Sequence, residues 1–221
     1  MGRTIGTVDA EGGIDRSFYN LGGEQTSLAD KLGNITENVF NLRGWLTKTI
    51  DPDGNVATTS YDKVGNVTET INVLGQKTQF TFDKLNRRTV TKEAVGTSDA
   101  RTSTTTYDVV GNVTKETNAL GINTEFDYDD LNRLTKVTEA KSTSDERIRT
   151  MAYDKVGNQT STTGWRGFVT DTTFDKLNRS TKVVQAVGET EETTTTTVYD
   201  KVGNVTRSID ANGNKTDFTY D

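Results

Sequence analysis

The sequence predicts an all-β fold, a repetitive antiparallel sheet with two strands in every unit of 21–25 residues. Three observations carry that expectation. First, an aromatic residue recurs at fixed steps through Tyr19, Phe40, Tyr61, Phe82, Tyr107, Tyr128, Tyr153, Phe174, Tyr199 and Tyr220. The steps are 21 residues as far as Phe82 and then alternate 25 and 21, so the longer period is 46. Self-similarity at such a period marks an array whose units pack on their neighbours. Second, the chain holds 42 Thr, a β-branched residue suited to a pleated, half-solvated surface. Third, 20 Gly against one Pro point to many tight turns and little linker.

The units follow in order. Residues 1–50 hold degenerate copies and residues 51–221 regular ones, and no composition shift breaks them, so one continuous array over 1–221 is expected. Runs such as Thr78-Phe80-Phe82 against Gln79-Thr81 alternate with period two, which puts aromatics on one face of a strand. On that pattern the aromatics should point inward and stack with their counterparts in adjoining units.

The turns come in two wordings. Asp-Lys-Val-Gly-Asn and its relatives supply Gly65-Asn66, Gly111-Asn112, Gly157-Asn158 and Gly203-Asn204. There an Asp can accept backbone N–H groups, and Gly and Asn tolerate positive φ. The second wording, x-Leu-Asn-Arg, supplies Asn86-Arg87, Asn132-Arg133 and Asn178-Arg179, with the Leu expected to tuck under the turn. The four extra residues of each 25-residue step fall in three longer loops near 95–99, 140–145 and 187–191.

Composition excludes much. Without Cys or His there are no disulfides, no thiolate or imidazole metal ligands, and no catalysis that depends on them. A net charge of −6 argues against a nucleic-acid partner. No stretch approaches the length of a membrane helix, so no membrane insertion is expected, and Met1-Gly2-Arg3 begins no signal peptide. Asp51-Pro-Asp-Gly-Asn55 and Asp210-Ala-Asn-Gly-Asn214 have the oxygen-rich, Gly-bearing look of the start of a calcium loop; the distal Glu is missing and turn chemistry accounts for both, so no cofactor is assigned. Adjacent carboxylates such as Asp129-Asp130 lack a catalytic partner, and no enzyme is expected.

The words Tyr-Asp-x-x-Gly-Asn-x-Thr, Asp/Asn-x-x-Gly-x-x-Thr and Tyr/Phe-Asp-x-Leu-Asn-Arg resemble those of YD-repeat (Rhs-repeat) proteins, strongly from Asp51 to Asp221 and weakly before. That resemblance implies strands wound into a spiral sheet, which in full-length relatives closes into a hollow shell. Such shells enclose toxin domains in Rhs proteins and insecticidal toxin complexes, and teneurins carry a similar barrel in an adhesion receptor. Rhs shells end in a self-cleaving core around Asp-Pro-x-Gly-Leu. Here the single Pro lies in Asp51-Pro52-Asp53-Gly54-Asn55, with Asn in place of Leu, so no catalytic residue carries over.

The function expected is that of a non-catalytic structural segment of a large secreted or cell-surface protein, forming a shell, tube or filament. The alternative is an extracellular adhesion or glycan-binding module whose Thr-rich strand faces and loops contact glycans or a surface receptor. The chain opens at Gly2-Arg3-Thr4-Ile5, in phase with the residues after a turn, and closes on Tyr220-Asp221, just before one. Its expected partners are therefore flanking repeats of a longer chain or further copies of itself, end to end.

Overall fold

The computed structural model describes residues 5–10 and 12–221. Met1–Thr4 and Glu11 lie outside the described residues, and so do the expected opening at Gly2-Arg3-Thr4 and part of the degenerate turn Asp9-Ala-Glu-Gly12. The chain divides into two compact units, one of residues up to 105 with Asn118–Gly121, the other of Thr106–Thr117 with Ile122–Asp221.

The first unit holds β1 (Gly6–Val8), β2 (Ile14–Tyr19), β3 (Gln25–Ala29), β4 (Ile35–Phe40), β5 (Leu46–Ile50), β6 (Val56–Tyr61), β7 (Val67–Ile71), β8 (Lys77–Phe82), β9 (Arg88–Glu93) and the first residues of β10 (Arg101–Tyr107). Each strand pairs antiparallel with the next.

The second unit holds β11 (Val113–Thr117), β12 (Asn123–Tyr128), β13 (Leu134–Glu139), β14 (Arg147–Tyr153), β15 (Gln159–Thr163), β16 (Val169–Phe174), β17 (Ser180–Gln185), β18 (Thr193–Tyr199), β19 (Val205–Ile209) and β20 (Lys215–Asp217). It repeats the same neighbour-to-neighbour ladder. The fold is thus all-β and antiparallel, as the repeat predicts, with two strands per unit.

Burial is spread thinly. Among the described residues the best-covered side chains are Thr138 (2% exposed), Val137 (5%) and Met151 (8%), on the neighbouring strands β13 and β14. Most other strand residues are half-buried. Hydrogen-bonded pairing and turn geometry therefore carry more of the fold than a hydrophobic centre does.

Hairpins that follow a repeat aromatic carry a feature the sequence reading did not anticipate. Their ladders slip by one residue beside the aromatic, as between Tyr61↔Val67 and Ser60↔Glu69, leaving the intervening Thr68 as an extra residue. The same bulge occurs beside Tyr128, Tyr153, Phe174 and Tyr199. The extra residue is Thr every time, and its hydroxyl commonly donates to the carbonyl eight residues back: Thr89 to Thr81 at 3.2 Å, Thr135 to Asp127 at 3.1 Å, Thr181 to Thr173 at 3.1 Å. A bulge interrupts ladder bonding, and a hydroxyl at that position supplies a donor to a carbonyl opposite it. Part of the Thr excess is thus turn-side hydrogen bonding rather than strand propensity alone.

Candidate functional site

Within each unit, successive hairpin turns alternate between two edges. The edge reached after each repeat aromatic, here the aromatic edge, carries every motif residue singled out in the sequence. Its turns run 20–24, 41–45, 62–66 and 83–87 in the first unit, and 108–112, 129–133, 154–158, 175–179 and 200–204 in the second.

Each is a five-residue loop built on its first side chain. In the Asp62 turn the backbone N–H of Asp62 donates to the Asn66 carbonyl at 2.9 Å. Asp62 Oδ1 then accepts the N–H groups of Val64, Gly65 and Asn66, each at 2.9 Å, while Oδ2 accepts Asn66 Nδ2 at 2.8 Å. In the Asp129 turn Oδ1 accepts from Leu131 and Arg133, and Oδ2 takes Arg133 Nε at 2.7 Å. Such bonds stabilise the charged carboxylate. The Asn66 side chain foremost holds Asp62 below the usual carboxylate range, Asn158 does so for Asp154, and the Arg133 and Arg179 side chains do so for Asp129 and Asp175.

The fourth turn position has positive φ in both wordings. Gly65, Gly111, Gly157 and Gly203 lie between 101° and 109°, and Asn86, Asn132 and Asn178 at 60° to 61°. The expectation for the Gly-Asn pair is corrected in one respect. Asn66, Asn112, Asn158 and Asn204 do not take up positive φ; their amides instead close the turn onto the Asp carboxylate. In this turn the left-handed residue is the Gly, and the following Asn keeps ordinary backbone.

A second correction concerns the Leu of Leu-Asn-Arg. Leu85, Leu131 and Leu177 do not tuck under their turns but stand 64% to 66% exposed. The turn interior is already filled by hydrogen bonds to the Asp carboxylate, which leaves no space for an aliphatic chain.

The two wordings join successive turns by two different linkages. Asn66 Nδ2 donates to Asn86 Oδ1 at 2.9 Å; Asn112 reaches Asn132 at 3.0 Å and Asn158 reaches Asn178 at 2.9 Å. From the Leu-Asn-Arg turn onward the linkage is arginine. Arg133 Nη1 donates to the Asp154 carbonyl at 2.9 Å, with its guanidinium 4.6 Å from the centre of the Tyr153 ring. Arg179 repeats this on the Asp200 carbonyl at 3.1 Å and the Tyr199 ring at 4.4 Å.

The repeat aromatics complete the edge. Nine of the ten are half-buried and Tyr220 is 55% exposed. Tyrosine hydroxyls donate back to the carbonyl just past the preceding turn of this edge: Tyr61 to Leu46 at 2.8 Å, Tyr128 to Val113 at 3.0 Å, Tyr153 to Leu134 at 2.9 Å, Tyr199 to Ser180 at 3.0 Å and Tyr220 to Val205 at 2.9 Å. The expected ring-on-ring stack of counterparts is replaced at Tyr153 and Tyr199 by an arginine plane lying over each ring. At Tyr61 the neighbouring ring is Trp45, 5.2 Å away at 43°, a residue the motif reading passed over because it stands where other turns have Asn or Arg. Trp45 also closes on Gly65, where an added Cβ would meet its ring at 3.0 Å. Arg43 lies 5.1 Å over the Trp45 ring and donates to the Lys63 carbonyl.

The opposite edge is built differently. Most of its five-residue turns use the same Asx chemistry, Asp51 Oδ1 accepting Asp53 and Asn55 N–H and Oδ2 accepting Asn55 Nδ2, whereas the Gly164 turn closes by its own N–H on the Phe168 carbonyl at 2.8 Å. Both carboxylate oxygens of Asp51 thus already serve the turn. Alternating with such turns are loops that start at Ala94, Ala140 and Ala186, each at positive φ (49° to 53°), so that the next N–H reaches back to the first residue of the strand before the one just ended: Val95 to Lys77, Lys141 to Asn123 and Val187 to Val169, all 3.0 Å. Among the described residues, no three His, Cys, Asp or Glu converge as a metal site. No helix among them is long and apolar enough to cross a membrane, which does not bear on β-barrels.

An antiparallel ladder with paired Asx turns on a 46-residue period defines a β-repeat protein. The family model described as RHS Repeat matches residues 40–77, 61–98, 107–144 and 199–221, more than half of the chain. The chain belongs to the RHS-repeat family. No curated protein sequence matches it. Among solved structures it is similar to a crystal structure of TcdB2-TccC3, with a TM-score of 0.67, 14% identity and 95% of this chain covered. A Photorhabdus luminescens Tc holotoxin pore gives a TM-score of 0.56 at 13% identity over 89% of this chain. The chain spans only 12% and 13% of the length of those two chains. At such identities the likeness concerns the fold.

Proposed function

We propose that this chain is a non-catalytic structural segment, one continuous array that supplies sheet to a shell, tube or filament of a large secreted or cell-surface protein. In this reading the repeat aromatics and turn residues act as structure and the turn edge is an assembly surface. One observation carries the assembly part: a row of solvent-exposed aliphatic side chains at the third position of successive turns on the aromatic edge. In the first unit these are Val64 and Leu85, and in the second Val110, Leu131, Val156, Leu177 and Val202, all at least 64% exposed. Lys63, Lys84, Lys155, Lys176 and Lys201 stand immediately before five of them, also exposed. Apolar groups set in register along an edge are suited to cover by another run of such repeats, supplied by a flanking segment or a further copy.

Analytical ultracentrifugation across a concentration series, with electron microscopy of the same samples, tests this. Concentration-dependent association that the triple change Val156→Ser, Leu177→Ser and Val202→Ser abolishes, with the fold retained, is the expected result. Discrete particles of one size at every concentration would reject assembly between copies and leave the flanking-repeat reading.

A second reading has one feature in its favour. An open groove of about 780 Å³ in the first unit is lined by Arg43, Trp45, Thr47, Thr58, Ser60 and Tyr61 among others. Aromatic rings beside hydroxyls suit a sugar, so a glycan partner is the alternative. Glycan-array binding lost in Trp45→Ala but kept in Trp165→Ala would establish it; no binding by the parent chain would dismiss it.

A further inference from the structure

We infer that in the second unit, where the two turn wordings alternate, they form a pairing code along the aromatic edge, and that this regular part of the array can change length only in steps of 46 residues. The Asn linkage needs an amide donor at the fifth position of one turn and an amide oxygen at the fourth position of the next. Asn112 and Asn158 supply the donor, Asn132 and Asn178 the acceptor. A Gly-Asn turn offers no such acceptor, because its fourth residue is Gly. Two Gly-Asn turns side by side therefore leave the first Asn amide facing empty space. They also remove the arginine that covers the following Tyr ring and bonds the following Asp carbonyl, as Arg133 does for Tyr153 and Asp154 and Arg179 for Tyr199 and Asp200.

Strand pairing imposes no such rule. Among the described residues of the second unit each of these strands pairs antiparallel with its chain neighbours, and removing a whole hairpin leaves such a ladder intact. What fixes the longer step is side-chain contact between turns that are two strands apart. In a one-dimensional array stability is the sum of units and their interfaces, so a mismatched junction weakens the array at that interface.

Two deletions separate the code from mere length. Removing residues 129–174, which is 46 residues, joins Tyr128 to Asp175 and places the Asp175 turn after the Asp108 turn; Asn112 then faces Asn178, and Arg179 still covers Tyr199. Removing residues 129–153, only 25 residues, joins Tyr128 to Asp154 and sets two Gly-Asn turns side by side. Both are made in the full chain and followed by thermal unfolding with circular dichroism. The larger deletion is expected to keep a single transition within about 5 °C of the parent, and the smaller one to fall by about 10 °C or to lose cooperativity. A third variant carries the smaller deletion with Val156→Leu, Gly157→Asn and Asn158→Arg, which rewrites the mismatched turn in the other wording; it is expected to recover much of the loss. The inference is overturned if the smaller deletion, which keeps more strands, is as stable as the larger. It is equally overturned if the rewritten turn recovers nothing, including the case in which both 25-residue deletions fail to fold while the 46-residue one folds.

Discussion

The two edges of the ladder use the same turn chemistry and reach opposite outcomes. On the aromatic edge each turn in the second unit holds the next, by Asn112 to Asn132, Arg133 to Asp154, Asn158 to Asn178 and Arg179 to Asp200. On the far edge the turns vary in wording and length, from Asp51-Pro-Asp-Gly-Asn55 to Gly164-Trp-Arg-Gly-Phe168 and the seven-residue loops that start at Ala94, Ala140 and Ala186. Both edges satisfy their own backbone groups. Far-edge turns touch in places, as where Lys31 Nζ donates to Asp9 Oδ2 at 2.9 Å and Arg147 lies over the Trp165 ring, but only the aromatic edge repeats the same linkages from turn to turn, and it is the one whose wording repeats. Sequence regularity here follows contact between turns rather than the pairing of strands.

The sharpest way to break this contrast is a matched pair of glycine substitutions. Gly65→Ala on the aromatic edge meets both a φ of 103° and the Trp45 ring at 3.0 Å, and is expected to cost about 2–3 kcal/mol. Gly54→Ala on the far edge has a φ of 81° and nothing within 4 Å, so only the backbone cost of about 1–2 kcal/mol remains. Equal losses in denaturant titration would erase the difference between the edges.

Next in size is the tie that Tyr153 makes across the aromatic edge. Tyr153→Phe keeps the ring under Arg133 but removes the bond to the Leu134 carbonyl, and should cost about 1 kcal/mol. A change below the error of the titration would mean that the hydroxyl adds nothing to the arginine contact.

Acid acts on both edges together. The turn carboxylates Asp51, Asp62, Asp129 and Asp154 have folded pKa values held below the ordinary value of 3.8, chiefly by the side chains of Asn55, Asn66, Arg133 and Asn158. With a depressed folded pKa the unfolded chain takes up protons first as pH falls. The stabilisation is therefore complete above about pH 4 and lost as pH drops through the lower folded values. Thermal midpoints measured from pH 7 to pH 2 should be level at the upper end and decline below about pH 4. A decline centred near pH 6 would contradict the assignment.

The smallest expected effect is on the far edge. Ala140 sits at a φ of 51°, where glycine is at ease, so Ala140→Gly should be neutral or stabilise by up to about 1 kcal/mol. A clear destabilisation would show that its methyl group is needed.

What could be read in the sequence divides along the same line. The strands, the turn positions and the period were legible because Asp, Gly and Asn at fixed offsets have few alternatives to a turn. The bulge was not, since Thr135 or Thr181 two residues past a turn reads as an ordinary strand former. The amide role of Asn66 was hidden by its tolerance of positive φ, a freedom already used by Gly65. The outward Leu131 misled for another reason: an aliphatic residue is assumed to seek cover, and nothing local shows that a carboxylate already fills the turn. Ala94 and Ala186 gave no signal at all, because alanine is not a marker for left-handed backbone.

Thin burial has a consequence for how the chain opens. With Val137, Thr138 and Met151 as the best-covered side chains, β13 and β14 form a small island of protection within their unit. Strands farther along the ladder can separate from their neighbours without exposing much apolar surface, and their amides should exchange with deuterated solvent through local opening. The slowest amides are expected on β13 and β14, with rates rising strand by strand toward β20, so that the second unit frays like a zipper rather than melting from a centre.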